Sequence, residues 1–142
     1  NAWLAFNDLI GRDNVVAWAG KLGIHQYRTT DNILNSDDIA HLLTQLYDRQ
    51  ILNDANTKLL LSYMQNASET GYIADAVPTG WAVYHKIGLL DDRALDAAII
   101  DNGKQPFVLV IFTKTTGSYD TAAGQAVFHA LTKAAVGAFG GI

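Results

Sequence analysis

The stretch WAVYHKIGLLDD, residues 81–92, holds the side chains whose types and spacing best suit chemistry. Lys86 follows an alternation of β-branched and aromatic residues, and Gly88 stands two positions later. A cation near the end of a half-buried strand, beside a glycine that lets a ligand approach the backbone, fits the rim of an anion site. Period-two alternation places Ala82, Tyr84, Lys86 and Gly88 on one face and Val83, His85 and Ile87 on the other. A lysine at a strand end, taken alone, is an ordinary solvated charge. Its context must decide.

Other candidates carry less. The histidines at 25, 41, 85 and 129 show neither metal-ligand spacing nor an HExxH pattern, so no metal is implied. His85 adjoins Lys86 but faces the other way, which suits a hydrogen-bonded structural role. The run TTGSYDTAAGQ has glycine and hydroxyls ahead of a helix but no Walker lysine, and reads as a turn with a helix cap. Arg93 is expected in the turn after the lysine strand, either assisting an anion or simply solvated. Trp3, Trp18 and Trp81 suit core or interface positions. The chain has 142 residues, 49% hydrophobic and 17% charged, and a net charge of −4. That composition fits one globular unit and lacks the clustered basic residues of a nucleic-acid binder. No uninterrupted apolar run approaches a membrane span. Without cysteine there is no disulfide or thiol chemistry.

The elements that must position Lys86 follow from periodicity. Residues 1–11 read as a buried helix end stopped by Gly11. Asp13 is expected to cap a second helix that Gly23 terminates. After an extended connection, Ser36 opens an amphipathic helix with Ile39, Leu42, Leu43, Leu46 and Tyr47 on its apolar face. Asp54 is expected to cap a further helix to about Gln65, carrying Leu59, Leu60, Tyr63 and Met64. Three strand-like runs follow, WAVYHKI, LDAAII and PFVLVIFT, with Asn102-Gly103 as the hairpin signal between the last two. Asp120 or Ser118 then opens a long helix whose inward stripe is expected to be Ala123, Val127, Ala130, Leu131 and Ala134. The closing GAFGGI is expected to fray. Helices first, then an antiparallel meander, then one covering helix describe an α+β arrangement. One helix covers one face of such a sheet, and the other face is expected to lack a partner within this chain.

Across nearly the whole length, from TTDNILNSDDIAHLLTQLYDRQILNDANTKLLLSYM through HKIGLLDD, DAAIID and QPFVLVIFTK to the final helix, the sequence resembles the class A β-lactamase and penicillin-recognising serine hydrolase family. Lys86-Ile87-Gly88 aligns with that family's Lys-Thr-Gly. The resemblance implies a β-lactamase/transpeptidase-like fold, here as one partial domain over 1–142, helical in 1–70 and sheet plus helix in 71–142. It implies that Lys86 attracts a substrate carboxylate and supports proton transfer, that Ile87 and Gly88 border the substrate, and that the Leu89 backbone N–H is an oxyanion donor. No metal or organic cofactor is implied. The ligand would be a small-molecule β-lactam or a peptidoglycan peptide. The setting would be the cell envelope or outside the cell, with no nucleic acid and no membrane span.

The sequence also departs from the family. Ser36, Ser62, Ser68 and Ser118 are followed three residues on by Ile39, Gln65, Gly71 and Thr121, so no Ser-x-x-Lys is present. Matching Gly11 to the family puts its Ser-Asp-Asn just before Asn1, whereas a rival register puts it on Asn1-Ala2-Trp3, where it is lost. The opening on Asn1, with no methionine or signal-like segment, reads as a chain trimmed or cut from something longer. Glu69 is the single glutamate and lies beyond the helices that follow the family's deacylating loop, and Asp31 is the nearest acid without a supporting motif. Ile87 replaces the motif's hydroxyl residue. Two readings follow: the C-terminal portion of a serine hydrolase acting on β-lactams or D-alanyl peptides, or a non-catalytic envelope relative that binds peptidoglycan peptides. The rest of the enzyme would come from a missing N-terminal half, or from a separate chain or second copy pairing with this one.

Overall fold

A computed structural model describes residues 2–28, 33–68 and 71–140. Asn1, Asp31 and Glu69 lie outside these, as do Gly141, Ile142 and the side chain of Trp3. Five α-helices and three strands run in the order α1 (Ala2–Ile10), α2 (Arg12–Lys21), α3 (Ser36–Tyr47), α4 (Asp54–Gln65), β1 (Ala82–Leu90), β2 (Arg93–Asp101), β3 (Phe107–Lys114) and α5 (Thr121–Phe139), with one 3-10 turn at Ala74–Ala76. None of the described helices is long and apolar enough to cross a membrane.

Local chemistry explains most boundaries. Gly23, at φ 79°, adopts the left-handed conformation that closes α2, as expected from the sequence. The caps of α3 and α4 are the asparagines just before the expected Ser36 and Asp54, and α2 starts after Gly11 with no side-chain cap rather than from Asp13. Asn35 Oδ1 accepts from the Asp38 amide at 2.7 Å, and Asn53 Oδ1 from the Asn56 amide at 2.9 Å. Asp54 and Asp13 instead sit in the first turns of their helices, where a carboxylate suits the dipole. For α5 the open choice falls on Asp120, which accepts from the Ala123 amide at 3.0 Å. This helix continues to Phe139 and does not fray at GAF, with the Gly140 amide bonded to the Val136 carbonyl.

The strands pair antiparallel in the order β1-β2-β3. β1 runs past Gly88 to Leu90, so Lys86 sits in mid-strand rather than near its end. Pairing with β2 continues to Leu90↔Arg93, and this cross-strand ladder outweighs the weak strand preference of one glycine. Arg93 is accordingly the first residue of β2, not a turn residue. In the second hairpin Gly103 has φ 80°, while Asn102 Oδ1 accepts from the Lys104 and Gln105 amides, so the Asn-Gly signal is realised as a side-chain-supported turn.

Both sheet faces are covered from within the chain, which corrects the expectation of a bare face. One face, with Ile87, Ala94, Ala98, Ile100 and Ile111, packs on Tyr72, Ile73 and Phe128 of α5. The opposite face, with Ala97, Ile99, Tyr84, Val108 and Val110, packs on Leu43 and Leu46 of α3 and on Leu61 and Met64 of α4. The amphipathic face expected for α3 is the one it buries. Tyr47 from that helix donates to Asp101 Oδ2 at 2.5 Å and fastens α3 to the end of β2. Burial first, then this bond, push the Tyr47 phenol well above its ordinary range.

The long helix buries a different stripe from the expected one. Phe128 and Thr132 are fully buried, whereas Val127 and Leu131 are each 48% exposed and Ala123, Ala130 and Ala134 also face out. The helix is apolar around most of its circumference, so spacing alone cannot choose its inner face. The ring of Phe128 meets Tyr72 edge-on at 5.0 Å, and that contact selects the face. Beyond α5, the helices α1 and α4 also turn large apolar side chains outward, among them Phe6, Leu9 and Tyr63.

Candidate functional site

Lys86 opens from the α3 side of the sheet, as the alternation requires, into a cleft of about 600 Å³. Its walls are Leu34 before α3, Ile39, Leu42 and Leu43 of α3, and Gly88, Leu90, Arg93, Leu95, Ala97, Phe112 and Lys114 of the sheet. α3 positions its wall because its Asn35 cap and apolar face lay it across β2 and β3. Apolar walls with a few basic side chains at the rim suit a small ligand that is largely apolar and carries one acidic group.

The three cations are not equivalent. Arg93 holds Asp92 through two bonds, Nε to Oδ1 at 2.7 Å and Nη2 to Oδ2 at 2.9 Å, and Lys114 Nζ stands 3.8 Å from the same carboxylate. The Arg93 bonds hold Asp92 below its ordinary carboxylate value, and Asp92 in turn raises Arg93. Among the described residues Lys86 pairs with no carboxylate, and its Nζ donates only to the neighbouring Ile87 carbonyl. Lys86 is therefore the cation left for an incoming anion.

The Asp92 pair has a testable pH signature. A depressed folded value means that the pair's contribution is complete above the ordinary value of 3.8 and is lost as pH falls through the lower, folded value. An NMR titration of the Asp92 carboxyl should give a midpoint below 3.8, and Arg93→Gln should bring it back up. A midpoint unmoved by Arg93→Gln would mean that the bidentate contact does not persist in solution.

Gly88 and Ile87 differ from each other in placement. A Cβ built on Gly88 would meet Leu95 Cδ1 at 3.7 Å, an ordinary contact, and its φ lies outside the left-handed region. Neither backbone nor packing within the described residues demands glycine here. What its small size does is leave the cleft wall low beside Lys86. Ile87 borders the cleft only through its backbone, because its side chain is 5% exposed within the opposite core. Leu89 lies on β1, the edge strand, where alternate backbone groups lack a strand partner, and its side chain is 53% exposed.

His85 is buried on the far face, with Nδ1 3.2 Å from Asp96 Oδ1, the structural placement expected of it. Sequence reading passed over its partner Asp96, a fully buried acid inside the run LDAAII. A lone carboxylate in an otherwise apolar strand was the available signal. Trp81, half-buried against the α5-side core, is a core residue, while Trp18 on α2 is 59% exposed. TTGSYD forms the loop before α5, and the Thr115 and Tyr119 amides donate to the carbonyls of Asp92 and Asp91. No metal-binding cluster is found among the described residues.

Lys86 and Gly88 thus stand together on one wall of a cleft that α3 also lines. The model of the β-lactamase enzyme family matches residues 4–139. The chain belongs to the β-lactamase enzyme family. Similar solved structures include a class A β-lactamase from Mycobacterium abscessus, 24% identical with a TM-score of 0.82, covering 99% of this chain and 59% of that one. A β-lactamase from Sphaerobacter thermophilus DSM 20745 is 22% identical with a TM-score of 0.83, covering 94% and 56%. The protein PBP-A is 16% identical with a TM-score of 0.80, covering 89% and 50%. At these identities the likeness shows the fold. The β-lactamase-family chain thus spans about half the length of the solved structures it matches. No curated protein matches it.

Proposed function

We propose that this chain supplies the carboxylate- and oxyanion-binding side of a serine acyl-transfer enzyme acting on β-lactams or D-alanyl peptides. A longer polypeptide would supply the nucleophile. The observation that carries the reading is the juxtaposition of Gly88 with Lys86, which pairs with no carboxylate among the described residues, on one wall of the cleft. In the reaction the serine oxygen adds to the carbonyl, the C–N bond breaks, and the nitrogen takes the serine's proton. Lys86 would hold the substrate carboxylate and favour the proton's passage. The Leu89 N–H, taken as part of β1's free edge, would steady the oxyanion. Membership of the family supports acyl-serine chemistry. A variant of the structurally similar PBP-A has been captured as an acyl-enzyme complex with penicillin G.

The outward apolar stripe of α5, the exposed faces of α1 and the doubled length of the matched structures all fit a remaining half that docks here. A cell-envelope or extracellular setting belongs to the same proposal. Glu69 as the single glutamate, lying after α4 where it does not match the family's deacylating loop, favours a second reading, a non-catalytic relative that binds peptidoglycan peptides.

Intact-mass measurement after incubation with penicillin G tests the proposal. The 142-residue chain alone should form no covalent adduct, since no serine here stands in Ser-x-x-Lys. The longer product of the same gene should gain one penicillin mass, and a time course of its loss reports deacylation. A longer product that binds penicillin reversibly without an adduct would support the non-catalytic reading instead.

A further inference from the structure

Directly behind Lys86, on the face turned away from the cleft, the sheet buries a hydrogen-bonded polar pair. His85 is 4% exposed and Asp96 is 0% exposed. Asp96 stands opposite Ile87 in the β1–β2 register, so its carboxylate lies at the level of the Lys86–Gly88 segment. One of its oxygens meets His85 Nδ1 at 3.2 Å, and the other accepts from the Ile73 amide at 3.0 Å. Ile73 is itself wholly buried, and Asp96 is the partner its amide has.

Stability alone does not account for such a pair. Two buried polar partners of this kind add little over an apolar pair of equal volume, because desolvation offsets their attraction. Their effect is geometric. One carboxylate ties the residue just before Lys86, the strand position opposite Ile87, and the segment entering the 3-10 turn. A one-residue slip of β1 would carry Lys86 into the core and His85 to the cleft, and these bonds oppose it.

We propose that His85 and Asp96 are positioning residues that hold the Lys86–Leu89 segment at the cleft. Their part in acylation rests on the function proposed above. Removing the tie lets β1's edge shift, and a displacement of about 1 Å at a reacting centre can cost about a hundredfold in rate.

The test uses the longer gene product carrying Asp96→Ala or Asp96→Asn, with Ile100→Val as a control in the same core. Two quantities are read: the acylation rate at saturating penicillin G, separated from its binding constant, and native-state amide exchange along the sheet. Asp96→Ala should lower the saturating rate about tenfold to a hundredfold with little change in binding, and should speed exchange selectively at residues 86–89 relative to β3. Asp96→Asn, which keeps an acceptor for the Ile73 amide, should recover part of the rate. Ile100→Val should lower thermal stability and leave both readouts unchanged. Equal losses in Asp96→Ala and Ile100→Val at matched stability, or exchange that rises uniformly across the sheet, would overturn the positioning role. If the unsubstituted product is not acylated, the proposed function fails, and selective against uniform exchange still decides the role of the pair. Should Asp96→Ala not fold, Asp96→Asn and His85→Asn carry the same comparison.

Discussion

Lys86→Ala in the longer gene product should cut the second-order rate constant for acylation by labelled penicillin by about 10²–10³, the scale seen when one preorganised charge-stabilising donor is removed. The size follows from the site's composition. Arg93 and Lys114 are already engaged by Asp92, so neither stands ready to replace the lost ammonium. Lys86 is surface-exposed and its ammonium bonds only to the next carbonyl, so its removal should leave thermal unfolding nearly unchanged. Stopped-flow acylation with a matched thermal melt checks both halves. Unaltered acylation would remove Lys86 from the site, whereas a collapsed melt would make it structural. Lys86→Arg is a useful companion, because charge without the compact ammonium should recover binding better than rate.

Phe128→Ala should destabilise the fold by about 3–5 kcal/mol, the cost of emptying a large buried aromatic site. Phe128 is 0% exposed, touches Tyr72 edge-on and joins α5 to the sheet. Its neighbour Val127, on the stripe that periodicity favours, is 48% exposed, and Val127→Ala in the 142-residue chain should cost less than about 0.5 kcal/mol. Urea unfolding of both variants makes the comparison. A larger cost at 127 than at 128 would mean that α5 is rotated from the face described. In the longer product the Val127 cost should rise to about 1.5 kcal/mol if the remaining half covers that stripe, because two methyl-sized groups then leave a buried contact. An unchanged cost would place the docking surface elsewhere.

The contrast between Phe128 and Val127 shows where sequence reading runs out. In α3 the apolar residues occupy one arc and polar ones the other, so Ile39, Leu42, Leu43, Leu46 and Tyr47 announce their face. In α5 alanines and valines surround the axis, and the preference for one face is weaker than in α3. The same limit hid α3 and α4 as the second cover of the sheet. Their apolar faces were legible, but periodicity carries no address. The asparagine caps were missed for a smaller reason. Asn35 beside Ser36 and Asn53 beside Asp54 are pairs of near-equal cap formers, and one position decides which side chain reaches the free amides.

Residue order and alternation by themselves determined that Lys86 and Gly88 share a face with His85 turned away, that the fold is α+β, and that no Ser-x-x-Lys lies within these residues. These are local properties, written in a period of two and in the presence or absence of a motif. Only the tertiary structure decided that Lys86 opens into a cleft while Asp92 occupies its two basic neighbours, that Ile87 belongs to the core, and that Asp96 lies buried behind the strand. Those facts depend on contacts between residues far apart in the chain. Such contacts are set by packing three layers together, which no single window of sequence contains.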